Sequence, residues 1–239
     1  MSVVAHRADF RALSPGISRL SGRKILLGCG IAFALLWIGM DVVASIVYEG
    51  YSYADQTVSE LSAIGAPTRP FWFALGSVWS ALVIAFGAGV WQSAGPRRSL
   101  RIVAGLLIVY ASITLTVGPF SSMHQREVLA AGGATLSDTL HLVVTGFGVF
   151  TFLLEIGFAA TAFGTWFRLY SIATIAAMLV FGAITSFYAP EVQANEPTPW
   201  VGIYERINAY SYMLWIVVLA VTLWRTPAPS TSRAATTAS

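Results

Sequence analysis

The stretch SDTLHLVVTGFGVFTFLLEIGFAATAFG, Ser137–Gly164, decides the fold. It is apolar and long enough to cross a bilayer, which takes about 20 residues of helix. It nevertheless carries Asp138, His141 and Glu155. At about 100° per residue, Asp138, His141, Thr145, Gly148, Phe152 and Glu155 fall near one helix face. A charge in hydrocarbon costs roughly 2.5–3.5 kcal/mol on insertion scales, so such residues turn toward other helices or a wet cavity. The stretch therefore predicts a bundle with this helix as its polar spine and the other helices packed to hide the polar face.

Composition agrees. The 239-residue chain is 56% hydrophobic and only 10% charged, where a soluble domain is about one-quarter charged. This predicts an all-α, polytopic membrane helix bundle with no added soluble domain. The pI near 9.2 is explained by basic residues on the cytoplasmic side, so nucleic acid is not expected as a partner. Cys29, the single cysteine, lies in an apolar run and leaves no disulfide framework or cysteine metal site. The absence of a phosphate loop, a nucleotide-binding strand–turn–helix and a Ser nucleophile elbow argues against ATP hydrolysis.

Outward from the opening stretch, residues 1–23 read as a basic cytoplasmic tail with a breaker pair, Pro15–Gly16. Residues 24–225 read as the transmembrane domain, with six spans at about 24–48, 71–93, 101–120, 138–164, 169–188 and 204–225. The first is longer than a signal-peptide core and lacks a small-x-small cleavage site, so it reads as a retained anchor. Residues 226–239 read as a disordered cytoplasmic tail. DQTVSELSAIG in the first outer loop predicts a short amphipathic helix: Val58, Leu61 and Ile64 recur every three residues, Ser52 or Asp55 caps it, and Gly65 and Pro67 stop it. It is expected to lie on, or dip into, the outer face. Every Lys and Arg except Arg69, Arg126 and Arg206 falls on one side of this layout. By the positive-inside rule both termini are cytoplasmic, N-in/C-in, in the cell membrane.

The remaining ionisable groups collect at the outer side, among them Asp41, Glu60, His124, Arg126, Asp138, His141, Glu205 and Arg206. Ser112 and Thr116 share one face of the third span; Glu205, Asn208 and Tyr212 share one face of the sixth. Together these can line a cavity opening outward. Asp138 and His141, at i and i+3, suit an acid–base or metal pair; equally, Asp138 caps the helix with Ser137 while His141 bonds a neighbour. Two histidines, His124 and His141, plus carboxylates are the only donors for a metal, and no HExxH or similar spacing supports one. A bis-histidine haem is disfavoured because only His141 lies within a span. Glu60 calls for a cation, Arg206 or Arg126, to pin the loop to the bundle. Glu155, roughly 20 Å along the helix from His141, reads as an intramembrane carboxyl bonded to a hydroxyl, or as a member of a proton relay. The aromatics read as bundle filling and interface belts.

The segments QTVSELSAIGAP, SDTLHLVVTGFG and GIYERINAYSYMLW, with the six spans, resemble a prokaryotic membrane family catalogued as domain of unknown function 998. The resemblance covers roughly Ile25–Trp224 and implies that Ser59, Glu60, His141, Glu205 and Arg206 are the positions that matter. It brings no established activity.

Three functions follow from the residues. One is a membrane protein with an outward-facing polar pocket that binds or acts on a lipid-like or isoprenoid-like molecule, with membrane lipids as its surroundings. There His141 is the acid–base residue, Asp138 its orienter, and Glu60 with Arg206 a scaffold or head-group clamp. The second is a proton-coupled small-molecule transporter using Asp41, Asp138, His141 and Glu155 as a relay; the lack of internal repeats speaks against it. The third is a structural or accessory protein in which Glu60 and Arg206 merely lock helices together.

Overall fold

The computed structural model describes residues 15–227, with side chains from Gly22 onward. Six long helices form: α1 (Pro15–Val47), α2 (Arg69–Ala94), α3 (Arg98–Val117), α5 (Leu136–Ala160), α6 (Thr165–Phe187) and α8 (Val201–Arg225). Two short ones, α4 (Arg126–Ala130) and α7 (Ala189–Gln193), sit in loops. The six long helices are each long and apolar enough to cross a membrane, and no strand forms among the described residues. The chain is a multi-pass, all-helical membrane protein.

Element edges follow local chemistry. Pro15, expected to break the chain, instead starts α1, where its missing N–H costs nothing. The earlier part of the basic tail, and the C-terminal tail beyond Pro227, lie outside the described residues. The fourth span ends at Ala160 rather than Gly164, because Thr161–Gly164 turns the chain into α6.

The six spans close into a ring in the order α1, α2, α3, α5, α6, α8 and back to α1. Among the described residues, one end of the ring carries the tight turns between α2 and α3 and between α5 and α6, with the start of α1 and the end of α8. The other, loop-rich end carries the segments before α2, between α3 and α5, and before α8. The core fills the tight-turn half with fully buried Leu27, Phe86, Leu100, Ile156, Trp215 and Leu219. A Cβ on Gly89 would sit 3.0 Å from the Leu26 backbone carbon, so a side chain there would push α1 and α2 apart. Arg23 fastens the same end, donating to Ser93 Oγ (3.1 Å) and to the Leu223 and Thr226 carbonyls that end α8.

The expected spine is corrected. The helix with the deepest burial is α8, which packs on α1 and α6 and also reaches α2. Helix α5 is one ring member, and its buried residues begin only at Gly148. The polar groups of its first turns are satisfied by loops, so no packed helix is needed to hide them.

The short helix expected in the first loop forms, with a tighter geometry. It is a single 3-10 turn, Val58–Ser62. Its apolar spacing of three is the period of a 3-10 helix, about 3.0 residues per turn. Val58, Glu60 and Leu61 are buried, so the turn plugs the ring mouth. Neither Ser52 nor Asp55 caps it: the Thr57 N–H and hydroxyl both donate to Glu60 Oε2, at 2.7 and 2.9 Å.

Candidate functional site

The plug is held by two buried ion pairs. Arg206 on α8 donates to both Asp41 oxygens on α1, at 2.8 and 2.9 Å. Its other N–H groups meet the Tyr53 carbonyl (2.7 Å), the Gly202 carbonyl (3.2 Å) and the Tyr51 hydroxyl (2.9 Å). Its guanidinium lies 3.6 Å from the Tyr53 ring centroid, a cation–π contact. Burial pushes the Tyr51 phenol above its usual range. Tyr210 adds a hydroxyl to Asp41 at 2.6 Å. Arg126, opening α4, makes the matching fork to Glu60, at 2.6 and 2.8 Å, and also reaches Thr198 Oγ1 (2.8 Å) and the Asp55 carbonyl (3.3 Å). Both pairs are bidentate and fully hydrogen-bonded, the geometry in which burying charge is tolerated.

Of the two cations expected for Glu60, the partner is Arg126, and the clamp of Glu60 with Arg206 does not form. The sequence offered Asp41 as a lone acid on the first span. Its spacing from Arg206, 165 residues, left no local signal of the pairing.

The three loops knit into a roof. Thr198 Oγ1 donates to the Asp55 carbonyl (2.7 Å), the Trp200 N–H to Asp55 Oδ1 (3.0 Å) and the Gly202 N–H to the Ala54 carbonyl (2.9 Å). The Trp200 and Ser52 bonds hold the Asp55 carboxyl below the usual carboxylate range. The Ile64 N–H donates to the Met123 carbonyl at 2.7 Å, tying the first and second loops.

The pairing of Asp138 with His141 is corrected. Asp138 closes the α5 N-terminus, accepting from the Thr135 N–H (2.8 Å). It also accepts the His124 N–H (2.7 Å) and faces His124 Nδ1 at 2.9 Å. Thr135, not Ser137, is the capping residue; the Ser137 hydroxyl goes to the Ser122 carbonyl. His141 Nδ1 lies 3.1 Å from the Ser121 carbonyl, so a backbone oxygen orients the ring. The two histidines thus have separate partners. Among the described residues, no three His, Cys, Asp or Glu groups are placed to hold a metal.

Under the roof lies a cavity of about 430 Å³, within the range of roughly 300–1,000 Å³ usual for small-molecule sites. Ser59, Ser62, His141, Glu205 and Asn208 line its upper part. Glu205 Oε2 accepts the Val58 N–H at 2.6 Å, anchoring the plug, while Oε1 has only a long 3.5 Å contact from Ser59. Asn208 Nδ2 donates to the Met178 carbonyl at 2.7 Å. Below, Trp79, Tyr110, Phe152 and Tyr212 pass the floor from α2 through α3 and α5 to α8, with Phe152 and Tyr212 stacked at 4.0 Å. Glu155 lies beneath this floor, fully buried, and accepts from the Tyr212 hydroxyl.

Of the residues singled out from sequence, Ser59, His141, Glu205 and Asn208 meet at the cavity. Asp41, Glu60 and Arg206 build the roof, Asp138 and His124 tie α5 to the second loop, and Glu155 underlies the floor. Ser112 and Thr116, expected to line the cavity, spend their hydroxyls on their own helix and face outward. The aromatic lining was missed: Trp37, Trp72 and Trp79 face the cavity, whereas tryptophans read from sequence as filling and belts.

Comparison with curated proteins finds no match, and comparison with solved structures finds none. One family model matches residues 31–222, which takes in the plug, the cavity and both ion pairs. With six apolar spans and this match over most of its length, the chain belongs to the membrane-protein family described as Protein of unknown function (DUF998).

Proposed function

We propose that this protein binds a lipid-like or isoprenoid-like amphiphile in the cavity beneath its loop-rich end. The observation that carries the reading is the cavity's polarity gradient: hydroxyl, imidazole, carboxyl and amide groups above, aromatic rings below. Such a gradient matches a molecule with a polar head and an apolar body. His141, oriented by the Ser121 carbonyl, and Glu205 are lining residues with proton-transfer chemistry, and His141 is the acid–base group if the bound molecule is also transformed. Asp138 serves it only indirectly, by fixing the start of α5. With both termini in the cytoplasm, as the distribution of Lys and Arg supports, the roof faces outward.

The test is native mass spectrometry of protein extracted in mild detergent from the membranes in which it was made. The wild type should carry a lipid-like adduct, and Ala209→Phe, which fills the cavity from α8, should lose it while keeping its helical circular dichroism. An adduct of equal occupancy in both would overturn the reading, as would none in either.

A second reading, proton-coupled transport, draws support from one contact. Tyr212 both lines the cavity and donates to Glu155, giving a hydroxyl link between the cavity and a buried carboxyl. The other relay members expected from sequence are engaged elsewhere, Asp41 with Arg206 and Asp138 with His124. Proteoliposomes in which Glu155→Gln abolishes substrate-driven proton uptake would favour this reading over simple binding.

A further inference from the structure

The cavity lining includes the Glu205 carboxyl and a set of hydroxyls that mostly present acceptors, beside three unpartnered donors, Trp72 Nε1, Trp79 Nε1 and Ser80 Oγ. Ser62, Ser77, Thr114, Ser121, Thr185 and Ser186 all line it, and each gives its hydroxyl proton to a backbone carbonyl. What each leaves for a ligand is an oxygen lone pair. Asn208 spends an amide hydrogen on the Met178 carbonyl, and its Oδ1 is an acceptor. His141 Nδ1 faces a carbonyl, which can only accept, so Nδ1 carries the proton and Nε2 of the neutral ring is an acceptor. Glu205 Oε1 keeps spare capacity beside Ser59. No cation lines the space. At the roof end Arg126 and Arg206 are each committed to a carboxylate and to roof carbonyls, and Arg69 stacks over the Phe73 ring without itself lining the cavity.

The route in is also defined. Buried residues of α5 start at Gly148, and those of α6 end at Met178. Nearer the loop-rich end neither helix buries a side chain, although both still line the cavity through Thr145, Gly182, Thr185 and Ser186. Thr145 and Ser186 are exposed. Exposed side chains on both helices that also line the cavity point to a sideways opening between them at membrane depth.

We infer that the cavity selects an amphiphile whose head donates hydrogen bonds and carries no negative charge, an alkyl amine in its simplest form, and that this molecule enters from the lipid between α5 and α6. An ammonium offers three donors to the hydroxyl, Asn208 and His141 acceptors and meets the Glu205 carboxyl, the charge-bearing contact that decides the preference. A phosphate head would bring acceptors and negative charge beside the Glu205 carboxyl, where no Lys or Arg lines the cavity to answer it. The apolar chain lies on the aromatic floor. This inference rests on the amphiphile-binding reading and narrows it to a head-group class.

The experiment uses the full chain in phosphatidylcholine nanodiscs and three probes with one twelve-carbon chain: dodecylamine, dodecanol and dodecyl phosphate. Binding is read from tryptophan fluorescence, since Trp37, Trp72 and Trp79 line the cavity, with Ala209→Phe nanodiscs subtracted as the partitioning background. Dodecylamine is expected to bind at least tenfold more tightly than dodecyl phosphate, with dodecanol between. Glu205→Gln, which retains an oxygen for the Val58 N–H, should reduce dodecylamine affinity about tenfold and leave dodecanol nearly unchanged. Thr145→Phe, at an exposed position, should slow dodecylamine association several-fold without altering the melting temperature. Equal or tighter binding of dodecyl phosphate would overturn the head-group inference and leave amphiphile binding standing. An unchanged association rate in Thr145→Phe would overturn the entry route. Failure of all three probes to exceed the Ala209→Phe background would overturn the binding reading itself.

Discussion

Arg206 and Arg126 have distinct jobs at the level of single side chains. Breaking a buried, hydrogen-bonded pair by removing one partner leaves an uncompensated charge and costs about 3–5 kcal/mol. Arg206→Ala and Asp41→Ala are therefore each expected to unfold the roof end, seen as a large drop in melting temperature in detergent. In double-mutant cycles, Asp41 with Arg206 and Glu60 with Arg126 should show strong coupling, and Glu60 with Arg206 much less. A Glu60–Arg206 coupling as large as the other two would contradict the geometry. Asp55 gives a pH-dependent signal. Its folded carboxyl sits below the ordinary range because the Trp200 N–H and Ser52 hydroxyl bond it. Its contribution is present above the unfolded carboxylate range and is lost as pH falls through the lower folded value. The melting-temperature gap between wild type and Asp55→Ala should accordingly hold at neutral pH and close only in acid below that range. Single residues were partly legible in the sequence: charge at membrane depth marked Asp41, Glu60, His141 and Arg206 for attention. Their partners were only partly legible: Arg126 was one of the two cations expected for Glu60, but nothing pointed from Asp41 to Arg206. Asp138 and His141 share a helix face at i, i+3, yet the imidazole that reaches Asp138 comes from His124 in a loop, through a turn that no periodicity encodes.

Among elements, the plug and α8 depend on each other. A Cβ on Gly202 would come 2.3 Å from the Gln56 carbonyl and 2.5 Å from the Tyr53 carbonyl, both backbone atoms that cannot swing aside. Gly202→Ala should therefore lift the first loop from α8 and cost roughly 1–3 kcal/mol, as overpacking does. Because the same loop carries Ser59 and sits on Glu205, the substitution should also weaken ligand binding. A Gly202→Ala protein with wild-type melting temperature would contradict this packing. The six spans were readable because each is a long apolar run between polar breaks, a signal that averages over many residues. The short first-loop helix was legible from its apolar spacing of three, but its 3-10 geometry was not, because that spacing fits either kind of helix over so short a stretch. Burial of that turn depends on Arg126 and Arg206 arriving from α4 and α8, information spread across the chain.

The whole molecule is a ring sealed at one end by packed apolar side chains and roofed at the other by ion-paired loops. The distribution of Lys and Arg predicts that the roof faces away from the cytoplasm. In a Cys29→Ser background, a cysteine at the exposed loop position Ala131 should react with an impermeant maleimide on intact cells, and one at Gln92 near the tight-turn end should not. Overall topology and the presence of a polar end were visible in the sequence. The cavity was not, because a space between helices depends on how all six spans pack, which no single stretch encodes. The central claim is that this space holds an amphiphile. A dodecylamine analogue bearing a diazirine on its chain, photolysed with the protein in nanodiscs and mapped by peptide mass spectrometry, tests it most directly. The account predicts adducts on the cavity-facing residues Phe152, Ala209 and Met213, lost in Ala209→Phe. Adducts confined to outward-facing residues such as Leu142 and Phe150, and unchanged by Ala209→Phe, would contradict it.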